Sequence, residues 1–213
     1  MDLRNQVLHN DVKINMLVEI KNLESRITEH SQIADQVKCG IVYVPPVWKA
    51  PPHNKVKFNV DAAINASNAF IAIVARSSSG NIIQCWSKIK KINSNDSCVA
   101  EASVIPWALK IAQIEQFLDI IVEGDAKICF DPIHEGVDVA PWRIKSLISN
   151  VICLALCFAF CSFCWVKCDA NGLAHVFAKF SSSQPFYRFC NSSNLSSSVH
   201  EVWFRDLLVP LSS

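Results

Sequence analysis

The chain lacks any excess of charge. Its 20 Lys and Arg stand against 19 Asp and Glu in 213 residues, a formal net charge of +1. The overall balance therefore predicts no nucleic-acid partner, and only a local basic patch would supply one. Charged residues are sparse, at 18% against 51% hydrophobic. That excludes a disordered chain and predicts one domain with a sizeable core plus an extension, or two small domains. The first ten residues have no apolar run of the kind a secretory leader needs, so the expectation is an intracellular protein, nuclear or cytoplasmic, rather than a secreted one. In that setting the ten cysteines read as reduced thiols, many buried as small apolar groups. The paired Cys-x-x-Cys knuckles of structural zinc are missing. Of Cys153, Cys157, Cys161, Cys164 and Cys168 only Cys161 and Cys164 are so spaced, and all five are expected in the core.

A second absence is of charge over 147–166, twenty residues without Asp, Glu, Lys, Arg or His. Length and apolarity alone would allow a membrane span. Ser149, Asn150 and Ser162 interrupt it, and the aromatic- and cysteine-rich stretch 158–166 suits a buried strand. The expectation is a helix followed by a strand, with no membrane partner.

What is present falls into four regions. Apolar positions from Val12 to Val37 approximate helical spacing, so 1–39 is read as an amphipathic helical extension. Pro45, Pro46, Pro51 and Pro52 bracket Trp48 and make 40–54 an extended linker, with the Trp48 ring expected to fold back onto the adjoining domain. The main domain is placed at 55–182. Serines dominate the remainder, and 183–213 is read as a flexible tail with a last amphipathic piece between Val199 and Leu208.

Within 55–182 the pattern is mixed α/β. In 56–63, Val56, Phe58 and Val60 alternate with Lys57, Asn59 and Asp61, a strand with one buried face. The run 69–76, apolar from Ala69 to Ala75 and closed by Arg76, reads as a central strand. The turn Ser77-Ser78-Ser79-Gly80-Asn81 leads to a third strand ending in Lys88, Lys90 and Lys91, read as solvated lysines. A helix capped by Ser94, Asn95 or Asp96 runs to about Gln116, with Pro106 expected to kink it. A short strand, 117–123, is followed by a helix from about Asp125 to Ile133. A further helix from Pro141, a strand near 158–166 and a short helix over 173–180 complete the domain.

Three acids stand at the ends or starts of these elements: Asp61 before two alanines, Glu101 between Ala100 and Ala102, and Asp125 after Gly124. Small neighbours leave each carboxylate uncrowded, and three hard-oxygen donors form a candidate divalent-metal cluster.

The order of elements and acids resembles the type-1 ribonuclease H domain, in its plant, retroelement-derived branch. The matching pieces are Trp48 to Pro52 ahead of Lys57-Phe58-Asn59-Val60-Asp61-Ala62-Ala63; Val74-Ala75-Arg76 with Gly80; Ala100-Glu101-Ala102; Val122-Glu123-Gly124-Asp125-Ala126; and the run from Asp169 to Ala178. Residues 3–10 also look like the segment following the reverse transcriptase in such elements. The resemblance implies a five-stranded mixed sheet flanked by helices, acting on RNA–DNA hybrids and cutting the RNA strand. It implies that Asp61, Glu101 and Asp125 hold two Mg²⁺ ions, with Mn²⁺ as a substitute, one activating water and the other stabilising the leaving 3′-oxygen.

The chain departs from the family pattern at several points. His175 occupies the fourth acidic position, where an imidazole adds no negative charge and is a poorer Mg²⁺ ligand. Phe70 and Ala72 replace second-strand glycines that let nucleic-acid backbone come close. No basic recognition loop like that of bacterial members is found. These departures support an alternative: a degenerate ribonuclease H fold, or retroelement remnant, that binds nucleic acid or a protein and cuts nothing.

Overall fold

The computed structural model describes residues 46–65, 68–92, 96–183 and 188–208. The chain divides into two units, Met1–Pro45 and Pro46–Ser213. The expected N-terminal helix and the first part of the linker lie outside the described residues.

Strands β1 (Val56–Asn65), β2 (Asn68–Arg76) and β3 (Ile82–Lys91) form an antiparallel meander. Helix α1 (Ser97–Ile114) leads to β4 (Asp119–Gly124), which returns parallel to β1. Helices α2 (Lys127–Glu135) and α3 (Lys145–Ala155) precede β5 (Phe160–Trp165), which lies parallel to β4. Helix α4 (Gly172–Ser182) comes next. The sheet order is β5-β4-β1-β2-β3-β6, so the expected five-stranded mixed sheet flanked by helices is present with one short strand added. That strand, β6 (Arg188–Cys190), comes from the serine-rich segment expected as a flexible tail, and helix α5 (Ser197–Leu207) falls on the last amphipathic piece expected between Val199 and Leu208.

The sheet has a core on each face, and this corrects the reading of β1. Phe58, Val60, Ile71, Ile73 and Trp86 pack on one side against Ala100, Val104 and Ala108 of α1. Ala72, Val74 and Cys85 pack on the other against Leu173 and Phe177 of α4 and Val199 and Trp203 of α5. Lys57, Asn59 and Asp61 therefore point into protein, not solvent; all three are buried. Alternation in a strand reports polarity of the two faces, and a second helical layer can bury the polar one. Gly80 shows how tightly that layer closes. Its φ is +79°, and a Cβ there would lie 2.6 Å from Leu207 Cδ2 of α5.

Asp96 is the residue that caps α1, its carboxylate accepting from the Val99 amide, and the helix continues through the buried Pro106. The 147–166 segment is helix then strand, and no helix among the described residues is long and apolar enough to cross a membrane. The cysteines divide differently from expectation. Cys85, Cys129 and Cys190 are buried, but Cys153, Cys157, Cys164 and Cys168 are exposed and Cys161 is half-buried. Helix α3 turns Ile148 and Val151 inward, leaving Cys153 outside, Cys157 lies in the turn that follows it, and β5 is an edge strand with one neighbour.

Candidate active site

The site begins where two parallel strands part. Pairing between β1 and β4 runs from Val56↔Ile120 to Asn59↔Glu123. Beyond that pair β1 continues along β2 to Asn65, whereas β4 ends at Gly124. Asp61 and Asp125 each lie two residues past the last pair, so the period of two sends them from the same face into the opening. Open α/β sheets form their ligand crevices at such a divergence, beyond the carboxyl end of a strand. Glu101 reaches it from the first turns of α1, and His175 from α4.

The electrostatics of these groups reflect how close they are. Asp61 is 2% exposed, and burial raises its pKa, with the charge of Asp125 adding to the effect and His175 opposing it. Burial also raises Glu101 well above the carboxylate range, followed by the charges of Asp61 and Asp125. The Ala62 amide favours the ionised form of both acids. Asp125 Oδ1 accepts from Asn171 Nδ2 at 3.2 Å, and its backbone carbonyl from Trp165 Nε1 at 2.9 Å. Burial, and then a hydrogen bond to Asp125, push the Cys168 thiol up to about 12. His175 Nδ1 lies 3.3 Å from Asp61 Oδ2. The contact is an ion pair when the imidazole is protonated, and it raises the His175 pKa against the effect of burial. Apart from this contact, Asp61 Oδ2 is buried without a hydrogen-bond donor.

A buried carboxylate oxygen without a hydrogen-bond donor, among neighbouring acids, suits a cation. Among the described residues no three or more His, Cys, Asp or Glu side chains form a ready metal-holding group. Mg²⁺ rarely occupies an all-protein cage; one or two carboxylates and several waters suffice. The donor set of Asp61, Glu101 and Asp125 fits a partly hydrated ion of that kind.

Beside the acids lies a set of buried polar residues that sequence reasoning did not single out. Lys57 Nζ donates to Glu123 Oε2 and to the Lys49 carbonyl, each at 2.7 Å. Asn59 Nδ2 donates to Glu123 Oε1 at 2.9 Å, and Trp48 Nε1 donates to Asn59 Oδ1 at 3.1 Å. Trp48 thus does fold back onto the domain. The polar face of β1 was the available signal, hidden because such a face ordinarily meets water. Phe70 and Ala72 are buried in β2.

The model of the reverse transcriptase-like family matches residues 59–181. No curated protein matches the chain. Among solved structures, the chain is similar to RNase H1 from the halophilic archaeon Halobacterium salinarum, at 20% identity and TM-score 0.56, covering 62% of this chain and 99% of that one. It is similar to the N-terminal RNase H domain of a Mycobacterium tuberculosis protein, at 18% identity and TM-score 0.52, covering 59% and 97%. It is also similar to the foamy viral protease-reverse transcriptase in complex with an RNA/DNA hybrid, at 16% identity and TM-score 0.50, covering 68% of this chain and 23% of that one. These likenesses establish a ribonuclease H fold, and with the match over 59–181 the chain belongs to the reverse transcriptase-like family.

Proposed function

We propose that the chain is an RNA–DNA hybrid ribonuclease of the plant, retroelement-derived branch, cutting the RNA strand in the crevice between β1 and β4. The observation that carries this reading is the convergence of Asp61, Glu101 and Asp125: the charge of Asp125 adds to burial in raising Asp61, and those of Asp61 and Asp125 add to burial in raising Glu101, beside an Asp61 oxygen buried without a hydrogen-bond donor. The foamy viral structure holds an RNA/DNA hybrid, and that ligand class is carried over here.

Asp61, Glu101 and Asp125 are the residues that would hold Mg²⁺ or Mn²⁺. When bound, such ions supply activation of a water and stabilisation of charge on the leaving 3′-oxygen. Asn171 tethers Asp125 Oδ1, so the carboxylate keeps its place in the crevice. His175, once Asp61 turns to a cation, has Nδ1 free to carry a proton into or out of the cleft. Hybrid held through phosphates and 2′-hydroxyls is bound with little regard to sequence.

One observation favours the reading without cleavage. A protonated His175 neutralises Asp61 from 3.3 Å and so competes with a cation for it. Incubation of a labelled RNA–DNA hybrid with Mg²⁺ or Mn²⁺, beside Asp61→Asn, separates the two. RNA-strand cutting that disappears in the variant is expected. Intact hybrid with folded wild-type protein in either metal would remove the nuclease and leave a binding domain.

A further inference from the structure

A continuous run of buried and partly buried hydrogen bonds links α5 to the crevice. Asp206 Oδ2 on α5 accepts from Arg76 Nη1 at 2.7 Å. Arg76 ends β2, has no exposed surface, and lies 3.6 Å over the Trp48 ring. It donates Nε and Nη2 to Asn59 Oδ1 at 3.2 and 2.8 Å. Asn59 Nδ2 in turn donates to Asn171 Oδ1 at 3.3 Å. Asn171 Nδ2 donates to the Val60 carbonyl at 2.9 Å and to Asp125 Oδ1 at 3.2 Å.

The direction of this run is fixed by chemistry. Arginine and the tryptophan N–H are donors only, so the three bonds they make on Asn59 must fall on its oxygen. The Asn59 amide therefore cannot flip, and its NH₂ faces Glu123 Oε1 and Asn171 Oδ1. Asn171 is then oriented in turn, with its oxygen toward Asn59 and its NH₂ toward Asp125. An isolated amide beside Asp125 would be free to rotate; this one is held by an arginine two residues removed from it in the network. Buried polar chains are costly when any member is unsatisfied, and here every named amide atom has a partner.

We infer that Asn171 is a positioning residue for Asp125, and that α5, through Asp206 and Arg76, is part of the device that holds it. The inference rests on reading Asp125 as an acid of the site. Asn171 orients the carboxylate rather than touching substrate. Removal of a group that orients a ligating carboxylate commonly weakens metal binding 10- to 100-fold, and the effect should pass back along the run to Asp206.

The test uses the full chain and Mn²⁺ binding followed by electron paramagnetic resonance, with thermal unfolding measured alongside. Variants are Asn171→Ala, Asp206→Asn, the pair together, and Val199→Ala as a control that loosens α5 in the core without touching the network. Asn171→Ala should raise the Mn²⁺ Kd by about tenfold or more, and Asp206→Asn should raise it by a smaller factor. Because the two act along one path, the double variant should bind no worse than Asn171→Ala alone. Val199→Ala should lower the unfolding temperature and leave Kd unchanged. If Asn171→Ala does not fold, Asp206→Asn, distant from the crevice, carries the comparison with Val199→Ala. Equal weakening by Val199→Ala, or wild-type affinity in the network variants, would overturn the positioning role and leave the nuclease reading standing. Absence of Mn²⁺ binding by the wild type itself would instead overturn the metal-site reading and this inference with it.

Discussion

At the scale of single residues, Asp61, Glu101 and His175 in the crevice hold protons more tightly folded than unfolded. Asp61 and Glu101 are raised from ordinary values of 3.8 and 4.5, chiefly by burial, and His175 is raised from 6.5, chiefly by its contact with Asp61. All three have the same sign. Folding takes up protons at these sites, so stability falls as pH climbs from the unfolded values through the raised folded ones. The contribution of His175 is complete below its ordinary pKa and fades as pH passes the raised one. Metal-free protein is therefore expected to melt at a higher temperature at pH 6 than at pH 8. Mg²⁺ should raise the melting temperature more at pH 8, where it meets carboxylates instead of competing with protons. A melting temperature that rises with pH across this range, with no added metal, would contradict the assignment. The acids themselves were legible from the sequence, since each stands beside small residues at an element's end. Asn59 and Asn171 were not, because an amide's role depends on what it faces, and they lie far apart in the chain.

At the scale of elements, the strands and the main helices were legible in apolar runs, caps and prolines. Helix α5 is legible only as a short amphipathic piece between Val199 and Leu208, since the serines before it suggest a flexible tail. The structure gives it weight: Val199 has no exposed surface, Trp203 is buried and donates Nε1 to the Gly80 carbonyl at 3.0 Å, and Asp206 pairs with Arg76. Burial lowers the Arg76 pKa to about 10, and the charge of Asp206 is the main opposing influence. Without α5 that guanidinium would keep its bonds to Asn59 but lose its ion-pair partner, a loss of roughly 3–5 kcal/mol for a broken buried pair. Trp203→Ala, which leaves the ion pair in sequence but removes the ring, is expected to cost about 3–5 kcal/mol in urea unfolding. A change below about 0.5 kcal/mol, the range of ordinary surface substitutions, would show that α5 is not part of the folded domain in solution. The exposed thiols of α3 and β5 show the converse lesson. Apolar residue types predicted a core, and the edge position of β5 decided otherwise.

At the scale of the whole molecule, a net charge of +1 gives little long-range pull on a polyanion, so any hybrid must be held by local contacts around the crevice. Lys88 and Lys90 are the obvious candidates by composition, but both side chains are engaged with α1. Lys90 Nζ donates to Ser103 Oγ at 2.6 Å, and Lys88 Nζ lies 4.3 Å over the Trp107 ring. Burial lowers the pKa of both. They fasten the end of β3 to the helix that carries Glu101. The expected consequence is a separation of two measurements. Each phosphate neutralised by a cationic side chain contributes a slope of about −0.7 to −0.9 to log affinity against log salt. A Lys88→Gln/Lys90→Gln variant should keep the salt slope of hybrid binding found for the wild type, while its melting temperature falls. If the slope becomes shallower by one or two of those increments at unchanged stability, the lysines are phosphate contacts, and the hybrid lies across β3 and α1 rather than only over the mouth between β1 and β4.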